Sequence, residues 1–194
     1  RDSTGKLTVI DQTYANAGNT KTQAIDFNVR GSIDALGGSF GAGLDGTLLL
    51  KKEEKVNASA ATIQQLGVYS LASDLGLRWK HNAFVSYSND DFSLSLTQIF
   101  RSGYKNQVLP GVLAGTFNPS NDITDVADYI YYNLSASYNG IKGFKLTFGV
   151  RNLFDTNPPF AISYDSNNGS GSSWEPRVAD PRGRSFTMQA EVKF

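Results

Sequence analysis

Cysteine is absent from this 194-residue sequence, histidine occurs once, and positive and negative side chains balance at 18 each. Without cysteine there is no disulfide, no thiolate metal site and no cysteine nucleophile. The lone His81 leaves a classical zinc site without a ligand set. It also argues against hydrolytic machinery, which needs a nucleophile with a histidine base or a carboxylate pair with a histidine partner. Zero net charge offers no electrostatic case for nucleic acid. No apolar run approaches the roughly 18 residues that a membrane-crossing helix requires.

What the sequence does hold is aromatic residues at 12% and 19 glycines, a composition that favours a β protein with many tight bends. The last eleven residues, from Arg184 to Phe194, alternate without a break. Phe186, Met188, Ala190, Val192 and Phe194 fall on one side, with Thr187, Gln189, Glu191 and Lys193 on the other. A strand has period two, so one face of this segment can meet hydrocarbon while the other meets water.

Alternation predicts about eight strands, near residues 6–14, 22–34, 39–52, 77–88, 92–105, 128–138, 144–154 and 184–194. In the second, Ile25, Phe27, Val29 and Ile33 oppose Asp26, Asn28, Arg30, Ser32 and Asp34; in the sixth, Tyr132, Leu134, Ala136 and Tyr138 oppose Asn133, Ser135 and Ser137. The first strand and the Leu48-Leu49-Leu50 run fit the pattern less well, and their registers stay open. Most of these segments have the length of a tilted bilayer crossing, about 9–11 residues, where globular strands centre near 5–6.

The connections alternate in length, short at 35–38, 89–91 and 139–143, long and without regular structure at 53–76, 106–127 and 155–183. Compact soluble domains seldom hold three such loops. Outer-membrane barrels have short periplasmic turns and long extracellular loops as a rule. The expected fold is therefore all-β, an antiparallel transmembrane β-barrel segment, with Phe194 on the periplasmic side.

Three pieces of the C-terminal third resemble the TonB-dependent outer-membrane transporters: Gly149-Val-Arg-Asn-Leu-Phe-Asp155 followed by Thr156-Asn-Pro-Pro159, then Ala179-Asp-Pro-Arg-Gly-Arg184, then the strand to Phe194. The resemblance implies the outer membrane of a Gram-negative bacterium and active transport of a scarce nutrient such as siderophore-iron, cobalamin or a glycan, without enzymatic activity. It also implies an outer-membrane assembly signal in Phe186, Met188, Ala190, Val192 and Phe194. The implied partners are membrane lipid, the barrel-assembly machinery, a small-molecule or glycan substrate, and the TonB system acting through a plug and its TonB box. That family's barrel has about 22 strands. Residues 1–194 are accordingly expected to be the C-terminal portion of one barrel domain, with the plug and earlier strands outside the sequence in hand.

No cofactor or metal is expected. Candidate substrate contacts are Arg101, Tyr104, Trp174 and Arg177, with Asn118 and Tyr164 in the same loops. Trp174 and Arg177 suit stacking on a ring and pairing with an anion; the plain alternative is a loop packing on itself. Asp180, Arg182 and Arg184 read as a polar cluster tying a loop to the rim. Asn152 or Asp155 satisfies backbone donors where pairing stops, and Phe154 lies at the bilayer interface. His81, with Trp79 and Ala83 on its face, reads as an interfacial or lumen-facing side chain, and Asp90-Asp91 as turn chemistry. The rival readings are a self-contained eight-stranded barrel with a binding or structural role, a barrel-embedded enzyme, and a soluble β-sandwich.

Overall fold

The computed structural model describes residues 5, 18–55, 57, 59–70, 75–118, 124–165, 169–170 and 172–193. In chain order the elements are β1 (Asn19–Ala35), β2 (Gly38–Lys55), β3 (Ile63–Gln64), β4 (Trp79–Ser88), β5 (Phe92–Arg101) and β6 (Tyr104–Lys105). After these come α1 (Pro110–Leu113), β7 (Asp125–Val126), β8 (Tyr129–Ile141), β9 (Phe144–Arg151), β10 (Tyr164–Asp165), β11 (Gly169–Ser170) and β12 (Ser185–Val192). The expected strand at 6–14 and the terminal Phe194 lie outside the described residues.

The long strands form one antiparallel sheet in the order β1-β2-β4-β5-β8-β9-β12, each beside the next in the chain, and β3 extends the sheet along β2. This up-and-down meander is what tight turns between amphipathic strands produce. At the first turn Leu36 and Gly37 both have positive φ, 54° and 72°, the pair of values a two-residue type I′ hairpin needs. At the second, the Asn89 carboxamide oxygen accepts from the backbone N–H groups of Asp91 and Phe92 at 3.0 and 2.9 Å, so the adjacent aspartates serve a turn.

Register places every apolar side chain of the alternation on one face. Across the sheet, Val29 pairs with Leu44, Ala42 with Val85, Val85 with Leu96, Leu96 with Leu134, Leu134 with Val150 and Val150 with Phe186. The Leu48-Leu49-Leu50 run breaks period two because the register shifts there: Ala24 pairs with Leu49 but Gln23 with Lys51, which leaves Leu50 as the extra residue of a bulge.

Most strand ends shift by one to three residues from the sequence expectation, and two strands stop early for a visible reason. The strand expected over 92–105 stops at Arg101, because Gly103 turns toward Asp128, whose carboxylate accepts its N–H at 2.6 Å. The strand expected over 144–154 stops at Arg151, where Asn152 takes a positive φ of 52°.

The larger correction concerns the long loops, which have structure of their own. Strands β6 and β7 pair, as do β10 and β11, and Val68 bridges Lys105 from one loop to the next. Within the loop expected over 106–127 without regular structure, Pro110 begins α1, a position where its missing N–H costs nothing. Tyr104, Val126 and Ala161 are buried together, with Tyr69, Leu75, Leu77 and Val178 packed against them. The three loops thus share a small hydrophobic core, and we call this body the loop cap.

Candidate functional site

The apolar face carries two rows of aromatics. Near the short turns lie Phe40, Tyr87, Phe92 and Tyr138, with ring centroids 4.6 Å apart for Phe40–Tyr87 and 5.5 Å for Tyr87–Phe92. Near the loop cap lie Phe27, Trp79, Phe100 and Tyr132, with Phe27–Trp79 at 4.9 Å. From Tyr87 to Trp79 is eight residues along β4. At about 3.4 Å per residue and about 40° of tilt this separates the rows by roughly 20 Å along the bilayer normal, near the height of the apolar band of outer-membrane barrels.

His81 lies in the upper row. It accepts from Trp79 Nε1 at 2.7 Å through Nδ1, and its Nε2 meets Gln98 Oε1 at 3.0 Å, while Gln98 donates to Tyr132 at 2.6 Å. Phe100 stacks on the imidazole at 5.0 Å. Mutual hydrogen bonding lets these polar groups sit on an apolar face at low cost, as an interface-level belt does.

The opposite face is polar. Thr47 donates to Asp26 at 2.6 Å, Asn28 donates to Asp45, and Arg30 pairs with Asp45 at 3.2 Å. Gly43 admits the Phe84 ring here, since a Cβ at this position would overlap it. Between this face and the loop cap is a cleft of about 450 Å³, whose lining includes Leu49, Leu75, Leu77, Lys80, Arg101 and Arg177.

The structure brings two of the four expected substrate contacts, Arg101 and Arg177, to this cleft. Arg101 ends β5 on the polar face, its Nη1 donating to the carbonyls of Phe100 at 2.7 Å and His81 at 3.3 Å. Arg177 is held by Glu175 through Nε at 2.8 Å and Nη2 at 3.0 Å and lies 5.4 Å over the Tyr69 ring. Burial would raise the Glu175 carboxyl, but the Arg177 hydrogen bonds outweigh it and hold the group below its ordinary value; Arg177 is raised in turn, chiefly by its bond to Glu175.

Tyr104 is only 5% exposed, within the loop core, and burial pushes its hydroxyl well up. Trp174 is half-buried in the last loop, its carbonyl accepting from Ser172 at 2.6 Å. Asn118 is exposed, and Tyr164 falls in β10. Lys80 was not among the expected contacts, although it belongs to the cleft; the signal for it was its place on the polar side of β4, legible only with the register.

The rim carries a polar cluster. Asp180 accepts from Arg182 at 2.6 Å and Arg151 at 2.7 Å, and these partners, Arg182 foremost, pull its carboxyl down to about 2. Asn152 exchanges two hydrogen bonds with the Thr156 backbone at 2.9 Å, and Asp155 accepts from the Arg184 N–H at 2.7 Å, satisfying backbone groups where β9 ends and β12 begins. Phe154 is exposed, its ring edge-on to Tyr132 at 5.3 Å.

No protein-family model matches the chain, and no curated protein matches it. Among solved structures it is similar to the siderophore receptor PiuA from Acinetobacter baumannii, at 20% identity and a TM-score of 0.51, over 92% of this chain and 22% of that one. A mutant of the ferric enterobactin receptor PfeA from Pseudomonas aeruginosa is also similar, at 16% identity and a TM-score of 0.45, over 88% of this chain and 31% of that one. The chain therefore has the fold of a stretch of the PiuA receptor and spans about a fifth of that receptor's length.

Proposed function

We propose that the chain is a section of wall in an outer-membrane transporter of the TonB-dependent class, the C-terminal part of a single barrel domain over residues 1–194. The observation that carries the reading is the division of one continuous sheet into an apolar face between two aromatic rows and a polar face beneath a folded loop cap. An apolar face of this extent is unstable in water and is matched by a bilayer. The fold shared with a siderophore receptor supports a transport role.

In this reading lipid covers the apolar face, the short turns are periplasmic and the loop cap faces the outside. The cargo is a scarce nutrient, siderophore-iron, cobalamin or a glycan, and the TonB system acts on a plug held against the polar face. Arg101 and Arg177 contact the cargo, while Tyr104 and Trp174 shape the cap above it. The alternation of Phe186, Met188, Ala190 and Val192 with its terminal Phe194 serves the assembly machinery.

The test is uptake of labelled ferric siderophores, cobalamin and oligosaccharides by cells that carry or lack the gene, with and without TonB. Loss of one uptake on deletion, equal to its loss without TonB, supports the reading. Recovery of the protein in the soluble fraction, or unchanged uptake of all three classes, overturns it.

A further inference from the structure

We infer that the cleft beneath the loop cap is an oxyanion site, in which Lys80 and Arg101 grip a carboxylate or phosphate group of the ligand. The inference deepens the transport reading by naming the chemical class bound on the polar face. It rests on that reading only for the side from which the ligand arrives.

The first argument is register. Lys80 and Arg101 are direct cross-strand partners in β4 and β5. Like charges directly opposite one another are destabilising. Sliding one strand by a residue to separate them would turn that strand's apolar side chains to the polar face, so the register keeps the pair opposed.

The second is the lack of a counter-charge. Among the described residues neither Lys80 nor Arg101 has a carboxylate within 4.0 Å, and none of those lining the cleft is acidic. A smaller hollow that Lys80 and Arg101 also line holds Asp26 and Asp45: Asp45 pairs with Arg30, while Asp26, bonded by the neutral Thr47 hydroxyl, has no cation within 4.0 Å among the described residues. Arg177, the other guanidinium of the cleft, is matched by Glu175. Lys52 lines the cleft as well, so its described lining carries Lys52, Lys80, Arg101 and Arg177 and no carboxylate, with Lys80 and Arg101 facing each other across β4 and β5.

The third is posture. Arg101 is anchored through Nη1 alone, by the Phe100 and His81 carbonyls and, at 3.5 Å, by Asn82 Oδ1. Its Nε and Nη2 have no protein acceptor among the described residues, and these are the donors of a planar fork that a carboxylate or phosphate meets in bidentate fashion. Leu49, Leu75 and Leu77 line the same cleft. Apolar walls thin the water around a bound ion and strengthen its pairing.

The experiment uses the whole protein that contains this chain, purified in detergent, with citrate and inorganic phosphate as probes titrated calorimetrically at low and high salt. Wild type is expected to bind at least one probe, more weakly at high salt, and Arg101→Gln and Lys80→Gln each to weaken it about tenfold or more, the scale of a lost charge-assisted hydrogen bond. Lys105→Gln, whose parent side chain pairs with Asp125 in the loop cap, leaves binding unchanged. Without anion, Lys80→Gln raises the Tm, because it removes the repulsion across β4 and β5.

Failure of wild type to bind either probe overturns the site, as does unchanged affinity in the two glutamine variants. A lowered Tm for anion-free Lys80→Gln also overturns it, since an acidic side chain of the protein itself would then occupy the cleft. Neither readout involves uptake, so this site and the transport reading can fail separately.

Discussion

The sheet and the loop cap solve the problem of apolar side chains in opposite ways. On the sheet, Val29, Val85, Phe186 and Met188 are more than half exposed, at 63%, 56%, 64% and 77%. In the cap, Tyr104, Val126 and Ala161 are buried against one another, as in any water-soluble core. A chain able to build a core at its loops has no difficulty burying hydrocarbon. The bare face of the sheet is therefore matched to another solvent, and the two regions should respond differently to the same kind of change.

The largest effect is expected in the cap. Tyr104→Ala empties a buried aromatic site and should cost about 3–5 kcal/mol of local stability, seen as rapid protease cleavage in the loops while the sheet keeps its circular dichroism. Tyr104→Phe should go the other way by about 1 kcal/mol, because the Tyr104 hydroxyl is buried without a hydrogen-bond partner among the described residues.

On the sheet the comparison turns on face. Val85→Arg should cost about 2–4 kcal/mol in lipid vesicles, measured by urea unfolding, whereas Ser86→Arg next to it on the polar face should cost little. If Val85→Arg were as mild as Ser86→Arg, the two faces would not differ in solvent and the comparison would collapse.

The pH response sharpens the boundary between the regions. The Asp180 carboxyl, held at about 2 by Arg182 and Arg151 against an ordinary value of 3.8, stabilises the rim above that ordinary value and ceases to do so as the pH falls through about 2. Asp180→Asn should lose this acid-sensitive step, followed by protease access to the last loop as a function of pH, while the sheet's spectrum shows no matching change.

These contrasts also mark what could be read in advance. Alternation alone located the seven long strands of the sheet and assigned the faces of most of them, β2 excepted, because period two is a local property and a buried or lipid-facing side enforces it. Asn152 and Asp155 were legible as strand terminators for the same reason, since their side chains bond to nearby backbone. The loop core was not legible. Tyr104, Val126 and Ala161 come from separate connections with no shared period, and only three-dimensional packing unites them. The Lys80–Arg101 pair escaped notice because like charges 21 positions apart become neighbours only through the register. Leu49 and Leu50 defeated the pattern because a bulge sends consecutive leucines to different surroundings.

The most direct measurement uses the two tryptophans, one in each region. Trp79 lies in the upper aromatic row of the apolar face and Trp174 in the loop cap. With the whole protein reconstituted in vesicles of brominated lipid and every tryptophan outside this chain replaced by phenylalanine, Trp79 fluorescence, isolated in Trp174→Phe, should be strongly quenched, and Trp174 fluorescence, isolated in Trp79→Phe, should persist and respond to aqueous iodide instead. Equal insensitivity of both to brominated chains would contradict the account, because the apolar face would then not meet lipid.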